Sequence, residues 1–262
     1  ASSGNTSSAS ALQVMLLIHG MGGDDDSDYM RRTAQHFLKR GWYVARLNMR
    51  GTLSAATAAA GDHTLSSDFG EGSAHFGKGS AQGQAAGMAA RTLLRRAAMT
   101  SAPAQAAHHS RDMGAYHAGL FEDINPVLDR LAEHFAGQAV EFSAMGFSLG
   151  GHLLLRYLCD ESGRGRLKAG VSVSAPLDLA ACQQRLEEPR NRIYNKYLTQ
   201  ALKAQFAPLI QRMRVSEASL KNVRDIDDRI VGPLFGFGDS EGYYASQSVW
   251  PHLGRLHTPT LM

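Results

Sequence analysis

A doubly wound α/β sheet, mostly parallel, is the fold class predicted for this chain, and three observations predict it. The run "VMLLI", Val14 to Ile18, is apolar throughout and ends in the glycine turn "HGMGG", as in a strand buried on both faces. Apolar runs and helical spacings then alternate in the order β-α-β-α, which calls for crossover helices between parallel strands. The 262 residues are also enough to bury a full core as one large domain.

Each element has its own justification. Residues 1–13, rich in Ser, Ala, Gly and Asn, offer nothing to bury and read as a disordered leader. From Ser27, the spacing of Met30, Ala34, Phe37 and Leu38 lines one helical face, and Gly41 follows basic residues at the helix end. "WYVARLN", Trp42 to Asn48, is the next strand. Leu120, Ile124, Leu128, Leu131 and Phe135 repeat at helical spacing, with Pro126 placing the regular helix start at Asn125. Strand "AVEFSAM", helix "LGGHLLLRYLC" and strand "KAGVSVS" follow, and a further strand opens at "TPTLM".

Two segments interrupt this rhythm. Residues 52–107 are dominated by Ala, Gly, Ser and Thr and read as a low-complexity insertion; no G-x-x-x-x-G-K-[ST] gives its glycines a phosphate role. Residues 176–258 carry helical patterns and read as a cap over the site.

Composition removes several function classes. Lys+Arg 27 against Asp+Glu 24 gives +3, scattered without a basic block, so nucleic acid is not an expected partner. The two cysteines share no ligand or redox spacing, which suits a reducing, cytoplasmic compartment. No apolar stretch is long enough to span a bilayer. The run Asp24 to Asp28 stands at a helix start, where carboxylates cap free N–H groups, and His108-His109 has no ligand company; neither metal nor cofactor is expected.

The chemistry concentrates in "GFSLG", Gly146 to Gly150, a G-x-S-x-G between strand and helix. That context is what a nucleophile elbow requires: a tight turn strains the serine backbone and lifts the hydroxyl to the top of the sheet, and small neighbours avoid clashes. Ser148 is the candidate nucleophile, against the plainer reading of a capped surface turn. The Leu149 N–H and, from the "HGMGG" loop, the Met21 N–H are the candidate oxyanion donors. His19, Gly20, Gly146 and Gly150 complete the site loops, with His19 bracing its own. His152 should point along its helix, away from the hydroxyl. Asp178 is a helix cap in preference to a catalytic acid.

The blocks "LLIHGMGGDDDSDYMRR", "NMRG", "YHAGLFEDI", "GFSLGGHLLLRYL", "VSVSAPLDL", "NRIYNKYL" and "DIDDRIVGPLFGFGDSEGYYASQSVWPHLGRLHTPTL", in this order, resemble the YheT-like branch of the α/β-hydrolases. That branch holds bacterial hydrolases and yeast medium-chain esterases and alcohol acyltransferases. The resemblance implies an α/β-hydrolase fold with a helical cap insertion and a serine esterase acting on short or medium-chain acyl esters, small molecules. It also implies a pocket near Tyr194 and Tyr197; His117 is a further candidate for its lining. In the family the acid follows the strand that begins here at "TPTLM", and the histidine follows the next strand. The chain therefore reads as truncated at the C-terminus, and at the N-terminus as well, and as inactive as given. The alternative is a non-catalytic protein of the same fold used for binding or as a scaffold.

Overall fold

The computed structural model describes residues 11–52 and 115–262. Its five strands are β1 (Leu12–Ile18), β2 (Tyr43–Leu47), β3 (Val140–Phe147), β4 (Ala169–Val173) and β5 (Thr260–Leu261). All pair in parallel, in the order β2-β1-β3-β4-β5. The low-complexity segment 53–107, with His108-His109, and leader residues 1–10 lie outside the described residues.

The strand β1 starts earlier than its apolar run, so the leader boundary at residue 13 needs correction. Leu12 pairs with Val140, and its N–H donates to the Ala139 carbonyl at 2.8 Å. The pairing comes from a partner more than a hundred residues away, and no local pattern marks it. From there β1 feeds two cores. Val14, Leu16 and Ile18 face one side of the sheet with α2 (Ile124–His134) and α3 (Leu149–Leu158), while Met15 and Leu17 face α1 (Asp28–Leu38) through Met30 and Ala34. This is the period-2 alternation of a strand buried on both faces, and it explains why no polar residue interrupts the run.

The helix expected from Asn125 begins one residue earlier, at Ile124, after a 3₁₀ turn over Phe121–Asp123. Asp123 precedes it without capping it, because its carboxylate is taken by Arg50, whose Nε donates at 2.6 Å. Pro126 falls in the first turn, where its missing N–H costs no helical bond.

Beyond β4, residues 176–258 form a run of helices before the chain returns to β5: α4 (Leu179–Glu187), α5 (Arg192–Gln205), α6 (Ala207–Arg212), α7 (Val223–Ile226) and α8 (Ser240–Gln247). Leu198, Leu202, Phe206, Leu209 and Ile210 from this run join the same hydrophobic cluster as β1 and α3. The helices are thus packed onto the sheet layer.

Candidate active site

Ser148 stands between β3 and α3 with φ 50° and ψ −117°. For a residue with a Cβ this conformation costs about 1–3 kcal/mol and persists only where the surroundings impose it. They do so here. The Ser148 N–H donates to the Val173 carbonyl at 2.8 Å, and its carbonyl accepts the His152 N–H at 3.0 Å. A Cβ on Gly146 would lie 2.3 Å from the Gly150 oxygen, and one on Gly150 would lie 2.3 Å from the His19 oxygen and 2.5 Å from that of Ile18. Both glycines are therefore required by backbone approaching backbone. The turn is clamped between the end of β1 and the start of α3, and the serine side chain projects half-buried, with no hydrogen-bond partner among the described residues.

The loop after β1 abuts this serine: a Cβ on Gly20 would sit 3.1 Å from the Ser148 Cβ. Three side chains hold the loop. The Tyr29 hydroxyl accepts the Gly20 N–H at 2.9 Å, and the Tyr116 hydroxyl accepts the Gly22 N–H at 3.1 Å. Tyr116 in turn donates to Gln205 Oε1 at 2.9 Å, and Gln205 Nε2 donates to the Gly23 carbonyl at 3.0 Å. The amides on either side of Met21 are thus engaged, while the Met21 N–H has no partner among the described residues. The Leu149 N–H, in the first turn of α3, is also left open, as helix starts leave it.

His19 is fully buried. The Met49 N–H donates to its Nε2 at 3.1 Å, so Nδ1 carries the proton and donates to the Gly20 carbonyl at 2.8 Å. Burial holds its pKa below the ordinary histidine value. A ring with both nitrogens committed to the backbone braces the loop and has no lone pair for a serine proton. His152 is committed too, with Nδ1 2.7 Å from the Pro176 carbonyl and Nε2 2.9 Å from that of Gln247. Burial lowers its pKa against the pull of these two acceptors. Its neutral ring donates to one of them at a time. His117 lies in a box of Phe235, Phe237 and Tyr243, with ring centroids 4.4, 5.1 and 6.1 Å away, and accepts the Gly119 N–H on Nδ1 at 3.0 Å. Burial, helped by the Arg50 charge, pushes its pKa down to about 3.

Tyr194 and Tyr197 stand on α5, exposed and stacked on each other at 6.5 Å. Asp178 caps α4, its carboxylate accepting the Ala181 N–H at 3.0 Å. The acidic run departs from expectation. No side chain caps the start of α1; Asp24 accepts from Ser27 and the Asp26 N–H, Asp25 accepts from Asn48 at 2.8 Å, and Asp26 and Asp28 pair with Arg31. These carboxylates tie the loop to β2 and to the helix surface instead of serving the helix amides. Among the described residues no group of three or more His, Cys, Asp or Glu could hold a metal ion, and no helix is long and apolar enough to cross a membrane. Tyr29, Tyr116 and Gln205, which set the loop, were not recognisable beforehand: they come from three distant segments, and only the fold brings them to one turn.

A family profile described as the alpha/beta hydrolase fold matches residues 13–232. The chain belongs to the alpha/beta hydrolase fold family. The resemblance to its YheT-like branch is borne out: the chain is 37% identical over 154 residues to "Putative esterase YheT" of Escherichia coli (strain K12), covering 56% of this chain and 45% of that protein. It is 30% identical over 148 residues to "Phospholipase ABHD3" of Homo sapiens, covering 53% of this chain and 35% of that one. It is 28% identical over 156 residues to "Monoacylglycerol lipase" of Saccharomyces cerevisiae, covering 55% and 34%. The matched regions span less than half the length of these relatives.

Proposed function

We propose that this chain carries the nucleophile and oxyanion hole of a serine esterase acting on short or medium-chain acyl esters. The observation that carries the reading is Ser148 itself: a non-glycine residue at φ 50°, clamped at a strand-to-helix turn, with its hydroxyl free of any partner among the described residues. Strain of this kind is maintained where it aims a reactive group. In the reaction the Ser148 Oγ attacks the ester carbonyl and its proton passes to a histidine base. The carbonyl oxygen, now negative, is met by the Met21 and Leu149 N–H groups, and the alcohol leaves with the proton as the acyl-enzyme forms. Water then releases the acid; an alcohol in its place completes acyl transfer. The relatives named esterase, lipase and phospholipase support an ester carbonyl as the target.

Of the described histidines, His19, His117 and His152 each bond backbone partners. We infer that the base, and the acid that orients it, are not among the described residues, and that the chain as given turns over slowly, at a residual ~10³ to 10⁴ above the uncatalysed rate. A fluorophosphonate probe and a p-nitrophenyl ester assay test both parts. Labelling at Ser148, lost in Ser148→Ala, supports the nucleophile; its absence in a folded chain favours the non-catalytic binding reading. Fast Ser148-dependent turnover refutes the inference of slow turnover.

A further inference from the structure

The first turns of α5 present a face that the described residues leave uncovered. Asn195, Leu198, Thr199 and Leu202 set its buried side. At helical spacing away from them, Ile193 is 87% exposed, Tyr197 61% and Tyr194 51%. Arg192 and Lys196 stand exposed beside these rings and make no ion pair among the described residues, and Arg190 is held only by Glu188 at 2.7 Å. The charge bias extends along the chain: residues 189–216 contain six Lys or Arg and no Asp or Glu.

On one helix face a bulky aliphatic crest leaves apolar surface in water, flanked by two phenols and by cations without an ion pair among the described residues. They match an interfacial helix, in which apolar side chains enter the acyl boundary, tyrosines lie at headgroup depth and cations meet anionic headgroups. The lack of any acidic residue over this stretch favours a negatively charged lipid surface over a second copy of this chain, whose α5 would bring the same cations to face their like. We propose that α5 docks the protein on an anionic lipid surface through Ile193 and Tyr197, with Arg190, Arg192 and Lys196 on the headgroups. The other flank of the same helix meets the active-site loop: a Cβ on Gly22 would lie 2.8 Å from the Ala201 Cβ, and Gln205 bonds the Gly23 carbonyl. Docking therefore sets the oxyanion loop beside the lipid. The proposal goes beyond the esterase reading and does not depend on it.

The test is co-sedimentation of the full chain with vesicles of phosphatidylcholine alone and of phosphatidylcholine mixed with phosphatidylglycerol. Binding is expected on the mixed vesicles, weakening as salt rises. Each cation near such a surface contributes about fivefold, so Arg192→Gln with Lys196→Gln should weaken binding ~25-fold. Ile193→Ser should weaken it about tenfold or more. All three positions are exposed, and circular dichroism confirms that the variants fold. No binding to mixed vesicles, equal binding to both compositions, or variants that bind like the parent would overturn the proposal. So would a concentration-dependent dimer dissolved by Ile193→Ser, which would assign the face to a second copy. Ser148→Ala should bind vesicles as the parent does, so failure of docking and failure of the nucleophile are read separately.

Discussion

Gly150→Ala is the sharpest perturbation of the elbow. The new methyl would sit 2.3 Å from the His19 carbonyl oxygen, 2.5 Å from the Ile18 oxygen and 2.8 Å from the Ile18 carbonyl carbon. All three are backbone atoms at the end of β1, so no side chain can swing aside, and restoring ordinary contact means moving the start of α3 by about 1 Å. Overpacking of this kind costs about 1–3 kcal/mol, and contacts this short belong at the upper end. Alanine returns up to ~1 kcal/mol of helix propensity, leaving a net loss of about 2 kcal/mol. For a domain of this size that lowers Tm by roughly 4–8 °C. The same shift draws the Leu149 N–H from the Met21 N–H, and a displacement of about 1 Å at a reacting centre costs ~10²-fold in rate. Thermal melting by circular dichroism and the rate of fluorophosphonate labelling read the two effects. Gly254→Ala, which meets nothing within 4 Å, is the control and should change neither. A Gly150→Ala protein that melts and labels like the parent would refute the claim that the elbow is held by backbone contact.

Three further outcomes follow from the same geometry. Ser148→Gly should abolish labelling yet raise Tm by a few degrees, since releasing a strained φ of 50° recovers about 1 kcal/mol after glycine's extra unfolded-state entropy; a lower Tm would show the conformation unstrained. Tyr116→Phe leaves the Gly22 N–H and Gln205 Oε1 unpartnered at a cost of about 1–3 kcal/mol and should slow Ser148 labelling about tenfold, whereas an unchanged rate would detach Tyr116 from the loop. Asp227 is buried, its carboxylate accepting from the Tyr244 hydroxyl at 2.6 Å, and burial pushes its pKa up to about 7. The folded state holds this proton where the unfolded chain has released it, so stability is greatest below the unfolded value near ~4 and is lost as pH rises toward 7, by up to about 4 kcal/mol. Asp227→Asn should flatten this part of a Tm-against-pH curve; a variant with the parent's slope would place the titration elsewhere.

Much of this molecule was legible in its residues because the relevant physics is local. The run Val14 to Ile18 showed double-sided burial, and the two cores it feeds are those the alternation demands. G-x-S-x-G announced its strained turn because only glycine tolerates the carbonyls that crowd Gly146 and Gly150. What depended on distant partners was not legible. The strand begins at Leu12 because Val140 waits there. Asp123 fails to cap its helix because Arg50 claims it, and the acidic run serves Arg31 and Asn48 instead of helix amides. Tyr29, Tyr116 and Gln205 gave no sign of their task, since a hydroxyl or amide acquires its partner only when the chain has closed around it.

His152 has a consequence of another kind. One ring, on the helix that follows the nucleophile, touches the carbonyl where the chain leaves the sheet layer and the carbonyl through which it comes back. The helices from Leu179 to Gln247, packed onto the sheet layer, thus leave it and rejoin it at one imidazole. Both ends of that run are thereby tied to the helix that starts after Ser148. A change at either end would therefore be felt at the turn that carries Ser148.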